Sequence, residues 1–127
     1  MDWESLERFA FGDNPALADK LAALVLAGPK RATCWAASDG PMTEIGKRMV
    51  MLGGSGRPRA VLETVDLFQR RYNEVDAAFA YEEGEGDRSL QYWRDAHRRY
   101  FGGRGQFAED MLLYCERFMV VEVIDSA

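Results

Sequence analysis

The stretch "GDNPALADKLAALVLAGPKRATCWAA", residues 12–37, decides how the chain begins its fold. Asn14 is a favoured N-cap residue, Pro15 suits the first helical position, and Gly28 is typical of the position that follows a helix. Apolar residues recur between them at helical spacing and form one stripe for burial: Leu17, Leu21, Leu24 and Val25. The pattern predicts an amphipathic helix of about three turns that ends at Gly28.

The pattern changes from helical to alternating after this helix. In "RATCWAA", residues 31–37, the alternation predicts a strand. The residues of its two faces are Arg31, Thr33 and Trp35 on one side, and Ala32, Cys34 and Ala36 on the other. Residues 46–68 predict a strand, a glycine-rich turn and a longer strand, and "MLLYCERFMVVEVI", residues 111–124, predicts one or two more strands.

Two further segments predict helical structure. "YNEVDAAFAYEEGEGD", residues 72–87, predicts a short helical turn that runs into an acidic loop. "SLQYWRDAHRRYFGG", residues 89–103, predicts a second helix that is capped by Asp87 or Ser89 and ended by two glycines. Helices interspersed among hairpin-connected strands predict an α+β domain on a mixed or antiparallel sheet, in the form of a small barrel.

The composition bounds the class of protein. The chain has 127 residues, of which 47% are hydrophobic and 29% charged, so we predict one globular domain over residues 1–127. No apolar run approaches the roughly 18 residues of a membrane span, and the first residues lack the layout of a signal peptide. We therefore expect a cytoplasmic protein with no membrane partner. A net charge of −5 argues against strong nonspecific nucleic-acid binding, and we expect no DNA partner.

Metal binding is weakly indicated by the sequence. His97 is the only histidine, and neither Cys34 nor Cys115 has a second cysteine at zinc-ligand spacing. We therefore predict no metal centre and no cofactor. The alternative is a divalent cation at the acidic stretch "EEGEGD", residues 82–87, which is otherwise a solvated turn.

The segment "GPKRAT", residues 28–33, is open to a structural and a catalytic interpretation. Basic residues near a helix C-terminus interact favourably with its dipole, by about 0.3–1 kcal/mol. Alternatively, Lys30 and Thr33 belong to an active site. Residues three apart on a strand point to opposite faces, so these side chains converge only if Lys30 lies in the turn before the strand. Gly28 and Pro29 favour such a turn.

Three segments together resemble the ASCH domain family: "FGDNPALADKLAALVLAGPKRAT", "GRPRAVLETV" and "EVDAAFAYEEGEGDRSLQYWRDAHRRYF". The resemblance extends over nearly the whole chain, from Phe11 to Val123. It implies a β-barrel similar to the PUA fold, with helices covering its ends and a cleft suited to RNA or a nucleotide.

The resemblance also implies a reaction and its residues. One group in the family hydrolyses the amide of N4-acetylcytidine with a lysine, a threonine three residues later and a glutamate from the acidic loop. The matching residues here are Lys30, Thr33 and Glu83, with Glu82 and Glu85 as rivals of Glu83. Thr33 would be the nucleophile. Lys30 would activate it if burial lowers the lysine pKa, and Glu83 would then shuttle a proton; otherwise protonated Lys30 would stabilise the oxyanion while Glu83 activates a water.

Candidate substrate-binding residues accompany these three. They are Arg31, Trp35, Glu85, Asp87, Trp93 and Arg94. Structural alternatives exist for several of them, because a tryptophan beside a helix is commonly a core residue and an exposed arginine commonly forms a surface ion pair.

Three functions remain open at this point. The first is a hydrolase that removes an acyl group from a modified cytidine. The second is a ribonuclease on single-stranded RNA, with or without a metal ion, and the third is a noncatalytic RNA-binding module. The expected partner in each case is RNA or a modified nucleoside, and the fold alone favours none of the three.

Overall fold

Five strands of the described chain form one mixed sheet. The structure, a computed structural model, describes residues 3–124. The strands are β1 (Arg8–Phe9), β2 (Ala32–Ala36), β3 (Arg48–Leu52), β4 (Pro58–Arg71) and β5 (Leu112–Val123). They lie in the order β1-β3-β4-β5-β2, and of these neighbours β1 and β3 run parallel while the other pairs are antiparallel.

Three α-helices of this region pack against the sheet. They are α1 (Pro15–Ala27), α2 (Ala77–Glu83) and α3 (Leu90–Gly103). Asn14, Asp76 and Ser89 are their N-caps, and each side chain accepts a hydrogen bond from the backbone N–H three residues later. Of the two caps predicted for α3, Ser89 is therefore the cap, and Asp87 accepts a hydrogen bond from the Ser89 N–H.

The sheet curves around a cavity and stays open. Register shifts interrupt the pairing of β4 with β5 between Val61 and Leu62 and between Thr64 and Asp66, and such bulges bend strands. Residues of all five strands line the cavity. The predicted closed barrel is not shown, because over residues 3–124 β1 pairs with β3 alone and β2 with β5 alone, so both remain edge strands.

Two apolar clusters hold the helices to the sheet. The cluster beneath α1 contains Ala22, Val25, Met51, Ala60, Leu62 and Phe118. The cluster beneath α2 and α3 contains, among others, Tyr72, Phe79, Trp93, Phe101 and Cys115. Burial of each large apolar side chain contributes about 1.5–3 kcal/mol. The second cluster therefore fixes α2 and α3 beside β2.

Local sequence signals predict most of these elements, with specific corrections. The buried stripe of α1 consists of Ala18, Leu21, Ala22 and Val25, whereas Leu17 and Leu24 are half-buried. β2 begins at Ala32 because the backbone N–H of Arg31 donates to the carbonyl of Glu82 in α2. β1, with two residues, is too short to show an alternating pattern and was missed. No helix within residues 3–124 has the length and apolar character needed to cross a membrane.

Gly84 lets α2 end directly against the turn that precedes β2. Its φ of 73° is left-handed, and a Cβ built on it would lie 2.4 Å from the carbonyl oxygen of Pro29. Because that obstacle is backbone, no side-chain rotation can relieve the contact. This glycine therefore sets the distance between Glu83 and Lys30.

We predict that Gly84→Ala destabilises the protein by about 2–3 kcal/mol, through left-handed strain and the backbone clash. Gly102→Ala is the matched control, because a Cβ at Gly102 meets nothing within 4 Å, and its effect should stay below about 1 kcal/mol. Urea unfolding of both variants measures the difference. Equal stability of the two would show that α2 does not approach the turn this closely.

Candidate functional site

A cavity of about 340 Å³ opens on the concave side of the sheet. Aromatic rings supply much of its wall: Phe9, Phe11, Trp35, Tyr100 and Phe118. Its polar wall consists mainly of Thr33, Thr43, Thr64 and Glu116. A volume in this range, apolar walls and a few convergent polar groups are typical of small-molecule sites.

The polar wall is a connected and nearly buried network. Thr64 donates a hydrogen bond of 2.7 Å to Oε2 of Glu116, and its hydroxyl lies 2.8 Å from that of Thr43. Because the Thr64 proton goes to Glu116, Thr43 is the donor to Thr64. Thr33 is paired with Glu116 across β2 and β5, so their side chains are neighbours on the cavity side of the sheet.

Glu116 is a carboxyl group of altered acidity. Burial raises its pKa, while the hydrogen bond from Thr64 and the charge of Lys30 lower it, and the net shift is upward. An upward shift moves the pKa of a carboxyl group toward the range in which general acid and base catalysis is most effective.

Lys30 lies fully buried at the start of β2, behind the cavity wall. Its Nζ donates to the carbonyl oxygen of Ala32 at 2.9 Å and contacts Oε2 of Glu85 at 2.9 Å. The same Nζ lies 3.4 Å from Oε1 of Glu83 and 3.3 Å from the Glu83 carbonyl. It also lies 5.3 Å from the ring centroid of Phe11, which lines the cavity.

Lys30 is an ammonium ion in this environment. Burial by itself lowers its pKa, but the charges of Glu83 and Glu85 raise it, and the net result lies above the ordinary value. The electrostatics therefore favour the protonated alternative for Lys30 over a free-base role.

Glu83 is held from a second side by α3. Its Oε2 accepts a hydrogen bond of 2.5 Å from the indole N–H of Trp93 and lies 3.6 Å from Nε2 of His97. The Cys34 sulfur lies within 4.8 Å of this carboxylate. Burial raises the pKa of the thiol well above its usual value, and the charge of Glu83 raises it further. Cys34, Glu83 and His97 are the group among the described residues that could hold a metal ion.

The structure brings some predicted site residues together and separates others. Lys30, Glu83 and Glu85 meet, and Trp93 supports Glu83. Thr33 and Trp35 line the cavity, where the Trp35 indole N–H donates to the carbonyl of Gly40. Thus the predicted catalytic residues occupy two adjoining places, with Thr33 on the cavity and the Lys30–Glu83 pair behind its wall.

Other predicted residues lie elsewhere. Arg117 donates to both carboxylate oxygens of Glu82, which assigns that rival of Glu83 to a surface ion pair. Asp87 is exposed before α3, where hydrogen bonds from Ser89 lower its pKa. Exposed Arg31 and Arg94 do not line the cavity, and Arg94 borders a shallow outer depression. The predicted cation at the acidic loop remains a prediction, although its glutamates already have cationic partners.

Sequence reasoning missed Glu116, Thr43 and Thr64. A signal was available for Glu116. It and Arg117 are adjacent charged residues inside the mostly apolar run 111–124, and a charged residue in such a run is commonly buried with a partner. Their convergence depends on strand pairing between distant segments. No local pattern reports that pairing.

Comparisons with known proteins agree with this fold. The ASCH domain model matches residues 7–122. The chain is similar to an ASCH domain from Lactobacillus crispatus JV V101, with 36% identity and a TM-score of 0.84 over 94% of this chain and 82% of that chain. It is also similar to a protein from Enterococcus faecalis V583, with 30% identity and a TM-score of 0.80 over 92% of this chain and 77% of that chain.

A more distant likeness concerns the fold alone. A mutant ASCH protein from Zymomonas mobilis has 13% identity and a TM-score of 0.54, over 94% of this chain and 71% of that chain. Among curated proteins, none matches significantly. The resemblance predicted from the sequence is confirmed by the family model and the solved structures.

We predict that Glu116→Gln stabilises the protein at pH 7. The folded state raises the pKa of this carboxyl above 4.5, so its ionisation costs stability as pH rises past 4.5 and through the folded value. The gain should disappear at pH 4, where the carboxyl is protonated in both states. Thermal unfolding from pH 4 to 8 tests this, with the exposed Glu44→Gln as control. A pH-independent difference would contradict the burial argument.

We predict that Lys30→Met destabilises the protein by about 3–5 kcal/mol, because it leaves Glu83 buried without its cation. The double variant Lys30→Met/Glu83→Gln should recover part of the loss. Lys47→Met is the matched control, since its ion pair with Glu7 is exposed and is worth at most about 1 kcal/mol. Urea unfolding measures these three variants and Glu83→Gln alone, and additive effects of the Lys30 and Glu83 substitutions would refute the coupling.

Proposed function

Because this chain belongs to the ASCH domain family, we propose that it is a hydrolase that removes an acyl group from a modified cytidine such as N4-acetylcytidine. One observation carries the proposal. A cavity of about 340 Å³ with aromatic walls places Thr33 beside the buried carboxyl group of Glu116.

The cavity suits a compact, uncharged base. Flat aromatic rings offer stacking surfaces for a pyrimidine, and such stacking contributes about 1–3 kcal/mol per base. Phe11, Trp35 and Phe118 are among the aromatic rings on the cavity wall. The net charge of −5 also favours a neutral nucleoside over a long polyanion.

Thr33 and Glu116 could supply the nucleophile and the general base and acid of amide hydrolysis. In the proposed reaction Oγ1 of Thr33 attacks the acyl carbon while the Glu116 carboxylate takes the hydroxyl proton. Glu116 then returns this proton to the exocyclic nitrogen as the carbon–nitrogen bond breaks, which releases cytidine. Water hydrolyses the acyl–threonine ester with Glu116 again as base, and the products are a carboxylic acid and free Thr33.

Lys30 acts in this scheme through its charge. Its positive charge lowers the pKa of Glu116 and so limits the upward shift that burial causes. Glu83 and Glu85 hold the ammonium in place from behind. Glu83 is therefore a positioning residue in this proposal, in contrast to the role that the resemblance implies.

RNA binding without catalysis is the second candidate function. Tyr100 of α3 and Arg104, which follows the helix, line the cavity, and Arg104 lies 3.7 Å from Asp39, which is also on the wall. An arginine beside an aromatic ring is a common arrangement for contacting a phosphate and a base together. A ribonuclease that uses a cation held by the acidic loop has less support, since Glu82 is paired with Arg117 and Glu85 with Lys30.

We predict that the wild-type protein converts N4-acetylcytidine to cytidine. Thr33→Val should lower kcat/KM by at least about 100-fold, because it removes the nucleophile at nearly constant volume. Chromatographic separation of the two nucleosides measures the rate. Ser55→Ala, which removes an exposed hydroxyl in the turn after β3, should leave the rate unchanged.

Other results of this assay would overturn or change the hydrolase proposal. A wild type that is inert at high enzyme concentration would overturn the hydrolase proposal. If that inert protein binds single-stranded RNA and loses affinity with rising salt, the RNA-binding candidate replaces it. Full activity in Thr33→Val would remove Thr33 as the nucleophile while retaining the reaction.

A further inference from the structure

Three metal-ligating side chains from three elements converge beside the predicted site. Cys34 lies in β2, Glu83 ends α2 and His97 lies in α3. One ligand atom of each lies within 4.8 Å of the other two, and Nε2 of His97 is 3.6 Å from Oε2 of Glu83. Tetrahedral zinc, with bonds of about 2.0–2.3 Å, places its ligand atoms about 3.3–3.8 Å apart. The 3.6 Å between Nε2 of His97 and Oε2 of Glu83 already lies in this range.

His97 is oriented as a metal ligand. Its Nδ1 lies 2.8 Å from the carbonyl oxygen of Trp93, and since a carbonyl can only accept, Nδ1 is the donor. In the neutral ring this leaves the lone pair on Nε2, which faces Glu83. The ring also stacks on Trp93 with centroids 4.2 Å apart. Metal-ligating histidines characteristically donate the other ring N–H to a carbonyl or carboxylate, as here.

The charges around Glu83 leave room for a second cation. Lys30 approaches Oε1 of Glu83, whereas Oε2 is the oxygen that faces His97. Glu85 contacts the Lys30 ammonium at 2.9 Å and offsets its charge. The ligand atoms of Cys34 and Glu83 lie within 4.8 Å of each other, so a bridging cation would sit between the sulfur and the carboxylate.

From this geometry we infer that Cys34, Glu83 and His97 bind a divalent metal ion of the zinc class. On binding, the Cys34 thiol releases its proton to solvent, bonds form from the ion to sulfur, oxygen and nitrogen, and no oxidation state changes. The thiolate and the carboxylate then balance the charge of the ion. Thiolate and imidazole ligands favour zinc over magnesium. Three protein ligands would leave the fourth position of a tetrahedral zinc site to a water molecule.

The inference is tested with Co²⁺ and Zn²⁺ on the full chain, treated with chelator and kept reduced with a phosphine. We expect Co²⁺ to produce a thiolate charge-transfer band that saturates at one ion per chain. One equivalent of Zn²⁺ should abolish the band, since zinc binds such sites more tightly than cobalt. Cys34→Ser should abolish the band, and His97→Gln should weaken Co²⁺ affinity at least about tenfold.

Cys115→Ala is the matched control. Cys115 is the other cysteine and the strand partner of Cys34, but it is not part of the three-residue cluster. Its removal should leave the band intact. Circular dichroism of the metal-free variants establishes that each one folds, and Zn²⁺ should raise the melting temperature of wild type but not of Cys34→Ser. Absence of the band in wild type, or its persistence in Cys34→Ser, would overturn the inference. This test does not measure acetylcytidine hydrolysis, so its outcome is independent of the proposed hydrolase function.

Discussion

The buried ion pair between Lys30 and Glu83 is the constraint on which the rest of the site depends. It joins the turn before β2 to the end of α2, two segments that are 53 residues apart in the chain. Removing both charges from water is costly, and the cost is met only when the remaining donors and acceptors are satisfied. Here the ammonium reaches two carbonyls and two carboxylates, and Trp93 donates to the other oxygen of Glu83.

The alternating side chains of β2 face two different environments. Thr33 and Trp35 line the cavity with Glu116, whereas Cys34, which also borders the cavity, packs against the core beneath α2 and α3. Consecutive side chains of a strand point to opposite faces, so one five-residue strand can serve both environments. Lys30 precedes the strand and is free of this alternation. It can therefore contact Glu83 and also lie near Phe11 on the cavity wall.

The sequence predicts the helices and strands of this fold better than it predicts which residues of different elements contact one another. Asn14, Pro15 and Gly28 determine the bounds of α1 locally, and each observed bound agrees. The choice among Glu82, Glu83 and Glu85 could not be made in advance, because it depends on where α2 ends and on how closely Gly84 approaches Pro29. The role of Glu116 depends on the bulged pairing of β4 and β5, which joins residues more than 40 positions apart. Such long-range registers leave no local signature.

Glu83 links the two proposed sites electrostatically. Lys30 is the cation that lowers the pKa of Glu116, and Glu83 partly neutralises Lys30. A divalent ion on Oε2 of Glu83 would draw negative charge away from Lys30. The positive potential at Glu116 would then rise, and its carboxylate form would be favoured. Metal binding on the helix side of β2 and proton transfer on the cavity side would in that case be coupled through one carboxylate, without any movement of the backbone.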